Sequence, residues 1–122
     1  MNDMKNLSFA ARLKFAFAGL AHAIAAEHSL RTQLLALLVV LGALAYWRPA
    51  PVWWAMVLLI SSAVIAAELF NTAIEGLADQ LHPEAHPQIR VVKDCAAAAV
   101  LVLSAGAVCV AVALAFSLWS AR

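Results

Sequence analysis

Five side chains that carry oxygen atoms recur along one short stretch of the chain, Ala66–Asp79. On an α-helix they lie within about 100° of one another; they are Glu68, Asn71, Thr72, Glu75 and Asp79. The carboxylates repel one another at this spacing, which favours either a bound cation or contact with water. Carboxylates bind Mg²⁺, and one can also accept a proton from an attacking hydroxyl. The pattern therefore predicts a metal or substrate site, and a solvated helix face is the alternative.

The composition places this polar face beside a membrane. Of the 122 residues, 66% are hydrophobic and 12% are charged, and the mean hydropathy is +0.90. Soluble domains carry about 25% charged residues, so a single membrane domain is predicted. The net charge of +1 lacks the basic excess of a nucleic-acid-binding protein. Cys95 and Cys109 lie in one apolar run, which predicts neither a disulfide framework nor a zinc site.

The apolar runs predict an all-α fold with four helices. Residues 7–27 have an apolar stripe at helical spacing, which predicts an amphipathic helix on the membrane surface. Basic residues interrupt this run, so we expect no signal peptide. Membrane spans are predicted at residues 30–47, 52–81 and 92–119, and the second span continues beyond the membrane into the acidic stretch. The last span is rich in alanine, which favours close helix packing and an oligomer.

The distribution of basic residues predicts which side of the membrane each connector occupies. Six of them belong to the N-terminal side or to the second connector: Lys5, Arg12, Lys14, Arg31, Arg90 and Lys93. The positive-inside rule therefore places the N-terminus and this connector in the cytoplasm. This orientation gathers seven charged side chains at one membrane interface: Glu27, Glu68, Glu75, Asp79, Glu84, Lys93 and Asp94.

Aromatic residues mark the opposite interface. Four of them surround the turn Arg48–Pro51, and they are Tyr46, Trp47, Trp53 and Trp54. Such a cluster is typical of the aromatic belt at the headgroup level, and a stacking platform for a ligand is the alternative.

Carboxylates from two segments and a nearby lysine would together suit a Mg²⁺–phosphate complex. Mg²⁺ takes one or two carboxylates together with phosphate oxygens, and a lysine neutralises further phosphate charge. The chain has no glycine-rich nucleotide loop, because its four glycines are isolated. The residues alone therefore lead to a metal or cation site at the cytoplasmic interface. A conduit for cations or protons, with Glu68 and Glu75 as relays, is a further interpretation, but residues 52–67 and 95–121 offer only serines as polar groups across the membrane.

A series of short motifs links the acidic stretch to the segments on either side of it. In order, they are Glu27–Arg31, Glu68, Asn71–Glu75, Asp79, Glu84–His86 and Lys93–Asp94. Together they resemble the signature of the prokaryotic diacylglycerol kinase family, which includes undecaprenol kinases. The resemblance covers nearly the whole chain in length and in the order of its spans, and its central motif is highly specific.

This resemblance implies a homotrimeric kinase of the bacterial inner membrane, with a surface helix and three spans per subunit. Such enzymes use ATP and Mg²⁺ to phosphorylate a lipid alcohol, which here would be diacylglycerol or, alternatively, undecaprenol. By resemblance, Glu68 is the general base, and Glu27 and Glu75 are the metal ligands. The implied nucleotide contacts are Phe15, Glu27, Asn71, Glu75, Glu84, Ala85, His86, Lys93 and Asp94. The implied lipid contacts are Arg31, Glu68, Trp47 and Arg12.

Three positions depart from the family pattern. Ala85 stands where an aromatic residue is common in the family. Phe15 matches the family's aromatic residue that faces the nucleotide, but Phe15 itself has no hydroxyl. An arginine early in the surface helix has no direct counterpart, because an ungapped alignment places Ser8 there, and Arg12 is the candidate substitute. These departures concern the N-terminal helix and the connector, whereas the pattern around Glu68 is complete.

Overall fold

The computed structural model describes residues 6–122, so Lys5, counted above among the basic residues, lies outside the described part. In that part, four α-helices follow one another: α1 (Phe9–Ala26), α2 (His28–Trp47), α3 (Pro51–Leu81) and α4 (Pro87–Ser120). Residues 6–122 contain no strand, which confirms the all-α fold class. Each helix is long and apolar enough to cross a membrane, and the chain is a multi-pass membrane protein.

The first helix, α1, has its apolar stripe largely outside the packed part of the chain. Ser8 caps its N-terminus by accepting a hydrogen bond of 3.3 Å from the backbone N–H of Ala11. Its mean hydropathy of 1.3 is the lowest of the four helices, yet it still meets the length and composition of a span. Phe9 and Phe17, both on the stripe, are 78% and 63% exposed. These rings are therefore available to lipid or to another subunit.

A single residue, Glu27, forms the corner between α1 and α2. Its backbone is extended (φ −107°, ψ 113°), so the first helix ends at Ala26 and the second begins at His28. The Arg31 guanidinium reaches back across the corner and donates hydrogen bonds of 2.9 and 2.8 Å to the carbonyls of Ile24 and Ala25. The last carbonyls of a helix lack hydrogen-bond donors within the helix, and the Arg31 guanidinium supplies these donors for α1. The corner therefore holds Glu27 at a defined place beside α2.

The remaining connections are set by proline and by local capping. Arg48 adopts a left-handed backbone (φ 49°, ψ 57°) after α2, and Pro51 then occupies the first turn of α3. The third helix ends at Leu81, just before His82 and a proline that disfavours helix in the residue preceding it. The fourth helix starts at Pro87, before the predicted start at residue 92, because His86 caps it with Nδ1 accepting from a backbone N–H 3.1 Å away.

The helices pack around a small apolar core at one end of the bundle. Leu44, Val57 and Leu114 are buried together there, and α3 packs most extensively on α4. A helix of 31 residues is about 46 Å long, whereas the hydrocarbon core of a bilayer is about 30 Å thick. The third helix therefore extends beyond the apolar layer, and its acidic C-terminal part lies at the end remote from this core.

Candidate active site around Glu68

Glu68 is a carboxylate held inside the helix packing. It is 5% exposed, and within residues 6–122 it is the one buried side chain that carries a charge or a polar group. Two side chains of α2 satisfy its oxygens: Gln33 Nε2 donates to Oε1 at 2.7 Å, and Ser29 Oγ donates to Oε2 at 3.2 Å. Hydrogen bonds to an ionised group are stronger than those between neutral groups. The pair therefore anchors the carboxylate of α3 to one face of α2.

Sequence reasoning missed Ser29 and Gln33. They lie four residues apart, so they project from the same face of α2 one turn from each other. Two polar residues at this spacing beside an apolar run were the available signal. That signal does not name its partner on another helix, and the structure identifies this partner as Glu68.

Three buried oxygen atoms near this carboxylate have no hydrogen-bond partner among the described residues. They are Gln33 Oε1, Asn71 Oδ1 and Thr72 Oγ1. An unpaired buried polar group costs about 1–3 kcal/mol, and most such groups in proteins are paired. Asn71 and Thr72 lie within the first turn after Glu68 on α3. This part of the chain therefore has unused capacity to bind a cation or a hydrogen-bond donor.

Two further carboxylates lie near the same end of the bundle. Glu27 is half-buried at the corner between α1 and α2, and Glu75 is half-buried two turns after Glu68 on α3. Ser29 follows Glu27 by two residues and donates to Glu68, which places the corner beside the acidic face of α3. Within residues 6–122, no group of three His, Cys, Asp or Glu side chains lies close enough to hold a metal ion. A Mg²⁺ ion that is shared with phosphate oxygens needs only one or two carboxylates from a protein.

A cavity of about 520 Å³ lies at the end of α3, beside the connector to α4. Its lining combines charged and polar side chains with prolines: Asp79, His82, Pro83, Glu84, Ala85, His86, Pro87, Ile89, Arg90 and Lys93. Lys93 forms an ion pair with Asp79 and so ties the start of α4 to the end of α3. The structure thus brings together four of the predicted nucleotide residues, namely Glu84, Ala85, His86 and Lys93.

The other predicted residues take separate positions. Asp94 pairs with Arg90 at 3.1 Å on the exposed side of α4. Phe15 and Arg12 are exposed on α1. Trp47 ends α2, fourteen residues after Gln33, which places it about 21 Å along the helix from the Glu68 contact. It packs edge to face on Tyr46 with ring centres 5.0 Å apart, so the structure does not bring it to the site.

A second cavity, of about 250 Å³, lies between α2, α3 and α4 within the apolar part of the bundle. Aliphatic side chains form most of its wall, including Leu37, Val57 and Val108. Gln33 is the one amide in the lining, and the same residue donates to Glu68. The cavity suits a hydrocarbon chain, and Gln33 links its wall to the buried carboxylate.

Comparison with known proteins identifies the family. The model of the prokaryotic diacylglycerol kinase family matches residues 14–115, a segment that includes Glu27, Glu68, Glu75 and Lys93. The chain belongs to this family. A diacylglycerol kinase from Synechocystis sp. is 31% identical over 98 residues, which are 80% of this chain and 56% of that relative. The chain therefore spans just over half the length of this curated relative. Ser8 and Arg12 lie outside the segment that the family model matches.

Proposed function

We propose that this chain is a lipid kinase that transfers the γ-phosphoryl group of ATP to the hydroxyl of a membrane lipid alcohol with the help of Mg²⁺. Diacylglycerol is the preferred substrate, and the product is phosphatidic acid. The observation that carries the proposal is the buried carboxylate of Glu68, which accepts a hydrogen bond from Gln33 in the lining of an apolar cavity. Family membership and the name of the Synechocystis relative support the same reaction.

Glu68 is proposed as the general base. It accepts the proton of the lipid hydroxyl while the hydroxyl oxygen attacks the γ-phosphorus. One bond forms between the lipid oxygen and the γ-phosphorus, and the bond between that phosphorus and the β–γ bridging oxygen breaks. ADP leaves with the electron pair, and Glu68 later releases the proton to solvent. Because Glu68 is only 5% exposed, little water can reach its carboxylate and compete with the lipid hydroxyl for it.

Glu27 and Glu75 are proposed as the Mg²⁺ ligands. Both are half-buried at the same end of the bundle, and both supply the hard oxygen atoms that Mg²⁺ prefers. The oxygens of Asn71 and Thr72, which have no partner within residues 6–122, add oxygen ligands on the same helix face. When bound, Mg²⁺ neutralises charge on the β- and γ-phosphates. A set of two carboxylates leaves coordination positions for those phosphates.

The connector cavity is proposed as the nucleotide site. Lys93 provides positive charge for the phosphates, and Glu84 and His86 provide polar contacts in the same lining. Ala85 is small and Phe15 has no hydroxyl, so we expect apolar contacts rather than hydrogen bonds from these two positions. Asn71 and Asp94 complete the proposed set of nucleotide contacts. Asp79 lines this cavity and lies one turn beyond Glu75 on α3, so the proposed nucleotide site is next to a proposed metal ligand.

The proposed assembly is a homotrimer in the bacterial inner membrane, with the active site on the cytoplasmic side. In this arrangement α1 lies on the membrane surface, and its exposed Phe9 and Phe17 face lipid. Arg12 is placed near the headgroups of the substrate. Small residues along α4 allow another helix to approach closely, which supports contacts between subunits.

Phosphate transfer from γ-labelled ATP tests this function directly. Purified protein in mixed micelles with Mg²⁺ is offered diacylglycerol and undecaprenol side by side. We expect label in phosphatidic acid, at a rate that falls to background when the metal is chelated. Label in undecaprenyl phosphate instead would assign the chain to the undecaprenol kinases. Label in neither lipid, from protein that remains folded, would contradict the proposed kinase activity.

A further inference from the structure

Glu68 is oriented from a neighbouring helix and not from its own. Gln33 and Ser29 each donate one hydrogen bond to a different oxygen of the carboxylate, at 2.7 and 3.2 Å. Two bonds to two oxygens fix both the position of the carboxylate and the rotation of its plane. A carboxylate oxygen has two lone pairs, so each oxygen keeps one for a further donor.

Gln33 also connects the carboxylate with the apolar cavity. Its side chain lines the cavity of about 250 Å³ while its amide holds Glu68. A lipid whose chain occupies this cavity would have its hydroxyl near the same amide. The second amide atom, Oε1, is buried and has no partner within the described residues. With such a lipid bound, Gln33 would contact its chain, its hydroxyl and the base.

We infer that Ser29 and Gln33 are positioning residues that aim the Glu68 carboxylate at the lipid hydroxyl. This inference rests on the proposed function, because it assigns the two residues a part in proton transfer to Glu68. Proton transfer needs the acceptor within hydrogen-bond reach and correctly oriented. Small misplacements of a catalytic group, of about 1 Å, cost about a hundredfold in rate. The two donors supply that orientation from the first turns of α2.

A purely structural role for these residues makes a different prediction. If the two hydrogen bonds only joined α2 to α3, their loss would lower stability and leave the turnover of folded enzyme unchanged. If they position the base, their loss lowers kcat while the KM values for lipid and ATP stay the same. The separation of kcat from KM therefore distinguishes the two roles.

The test compares variants of the full-length chain in the mixed-micelle assay. Gln33→Met keeps the length of the side chain and removes the amide, and Ser29→Ala removes the hydroxyl. Ser29→Thr keeps a hydroxyl at the same place. Thr32→Val is the matched control, because Thr32 lies on the same turn of α2 and its hydroxyl donates to the His28 carbonyl at 3.1 Å instead of to Glu68. Each variant is checked for oligomeric size and helical content before kinetics.

We expect Gln33→Met to lower kcat about tenfold to a hundredfold with KM values within about twofold of wild type. Ser29→Ala should lower kcat less, since its bond is longer, and Ser29→Thr should restore most of that loss. In a Glu68→Gln background, Gln33→Met should have no further effect, because the carboxylate to be aimed is gone.

Three results would overturn the inference. Wild-type kcat in folded Gln33→Met, or a change confined to KM, would remove the positioning role and leave the proposed kinase function intact. An additive loss in the Glu68→Gln background would also remove it, because Gln33 would then act independently of Glu68. Wild-type protein that transfers no phosphate would contradict the proposed function itself, and the inference with it.

Discussion

Gln33 of α2 donates a hydrogen bond of 2.7 Å to Glu68 of α3, and this contact lies between an apolar cavity and the acidic face of the third helix. A buried carboxylate is costly unless it is paired or hydrogen-bonded. The chain retains this one with two donors from α2 and leaves nearby polar atoms unpartnered within residues 6–122. Such an arrangement favours function over stability, and its parts can be tested one at a time.

The proposed metal ligands are tested by their Mg²⁺ dependence. Replacing Glu75 or Glu27 with glutamine keeps the size of the side chain and removes a negative charge that binds Mg²⁺. We expect the Mg²⁺ concentration for half-maximal rate to rise at least about tenfold in either variant, which corresponds to a loss of about 1.4 kcal/mol. The measurement is the initial rate across a Mg²⁺ titration at saturating ATP. Gln80→Ala, on an exposed position of the same helix, is the control. An unchanged titration in either variant would exclude that residue as a ligand.

Arg31 is expected to act through the corner that it closes. Its guanidinium donates to the carbonyls of Ile24 and Ala25, and each such bond contributes about 0.5–1.5 kcal/mol. Arg31→Gln should therefore lower the thermal midpoint and expose the segment around Glu27 to proteolysis. It should also raise the Mg²⁺ requirement, because Glu27 sits in the same corner. A raised KM for lipid, with the corner as resistant to protease as in wild type, would instead identify Arg31 as a lipid contact.

Lys93 is expected to contribute positive charge to nucleotide binding, whereas its partner Asp79 mainly holds the Lys93 side chain in position. The two form an ion pair, and both line the connector cavity. Lys93→Met should raise the KM for ATP at least about tenfold, because a charge on the phosphates is lost. Asp79→Asn keeps that charge and should change the KM less than about threefold. Equal effects of the two substitutions on the KM for ATP would contradict this division of roles.

The sequence predicted most of the helical architecture because its signals are local. Apolar runs separated by prolines or by polar and charged residues indicate four helices, and periodicity places the oxygen-bearing residues from Glu68 to Asp79 on one face of α3. The exact boundaries of the helices were harder to predict from the sequence. The fourth helix starts at Pro87 because a histidine side chain caps it, and a single extended residue separates α1 from α2.

The hydrogen-bond partners of Glu68 could not be predicted from local sequence signals. Ser29 and Gln33 meet Glu68 through packing between helices, and the sequence distance of 35 to 39 residues carries no trace of that contact. For Trp47, the sequence suggested a contact that the structure does not bring together. An aromatic residue beside a span is compatible with a lipid site, but its place at the far end of α2 follows only once the direction of the helix relative to Glu68 is known.

The most direct test of the account is the rate of phosphate transfer to diacylglycerol by Glu68→Gln. Glutamine keeps the shape of the side chain but cannot accept the proton of the hydroxyl, and general bases contribute about 10²–10⁴ in rate. Ser62→Ala, on an exposed part of the same helix, is the control for substitution in α3. We predict that transfer by Glu68→Gln falls at least about a hundredfold while the KM for ATP and the oligomeric size match wild type. Transfer at the wild-type rate by Glu68→Gln would contradict the central claim that this buried carboxylate is the base.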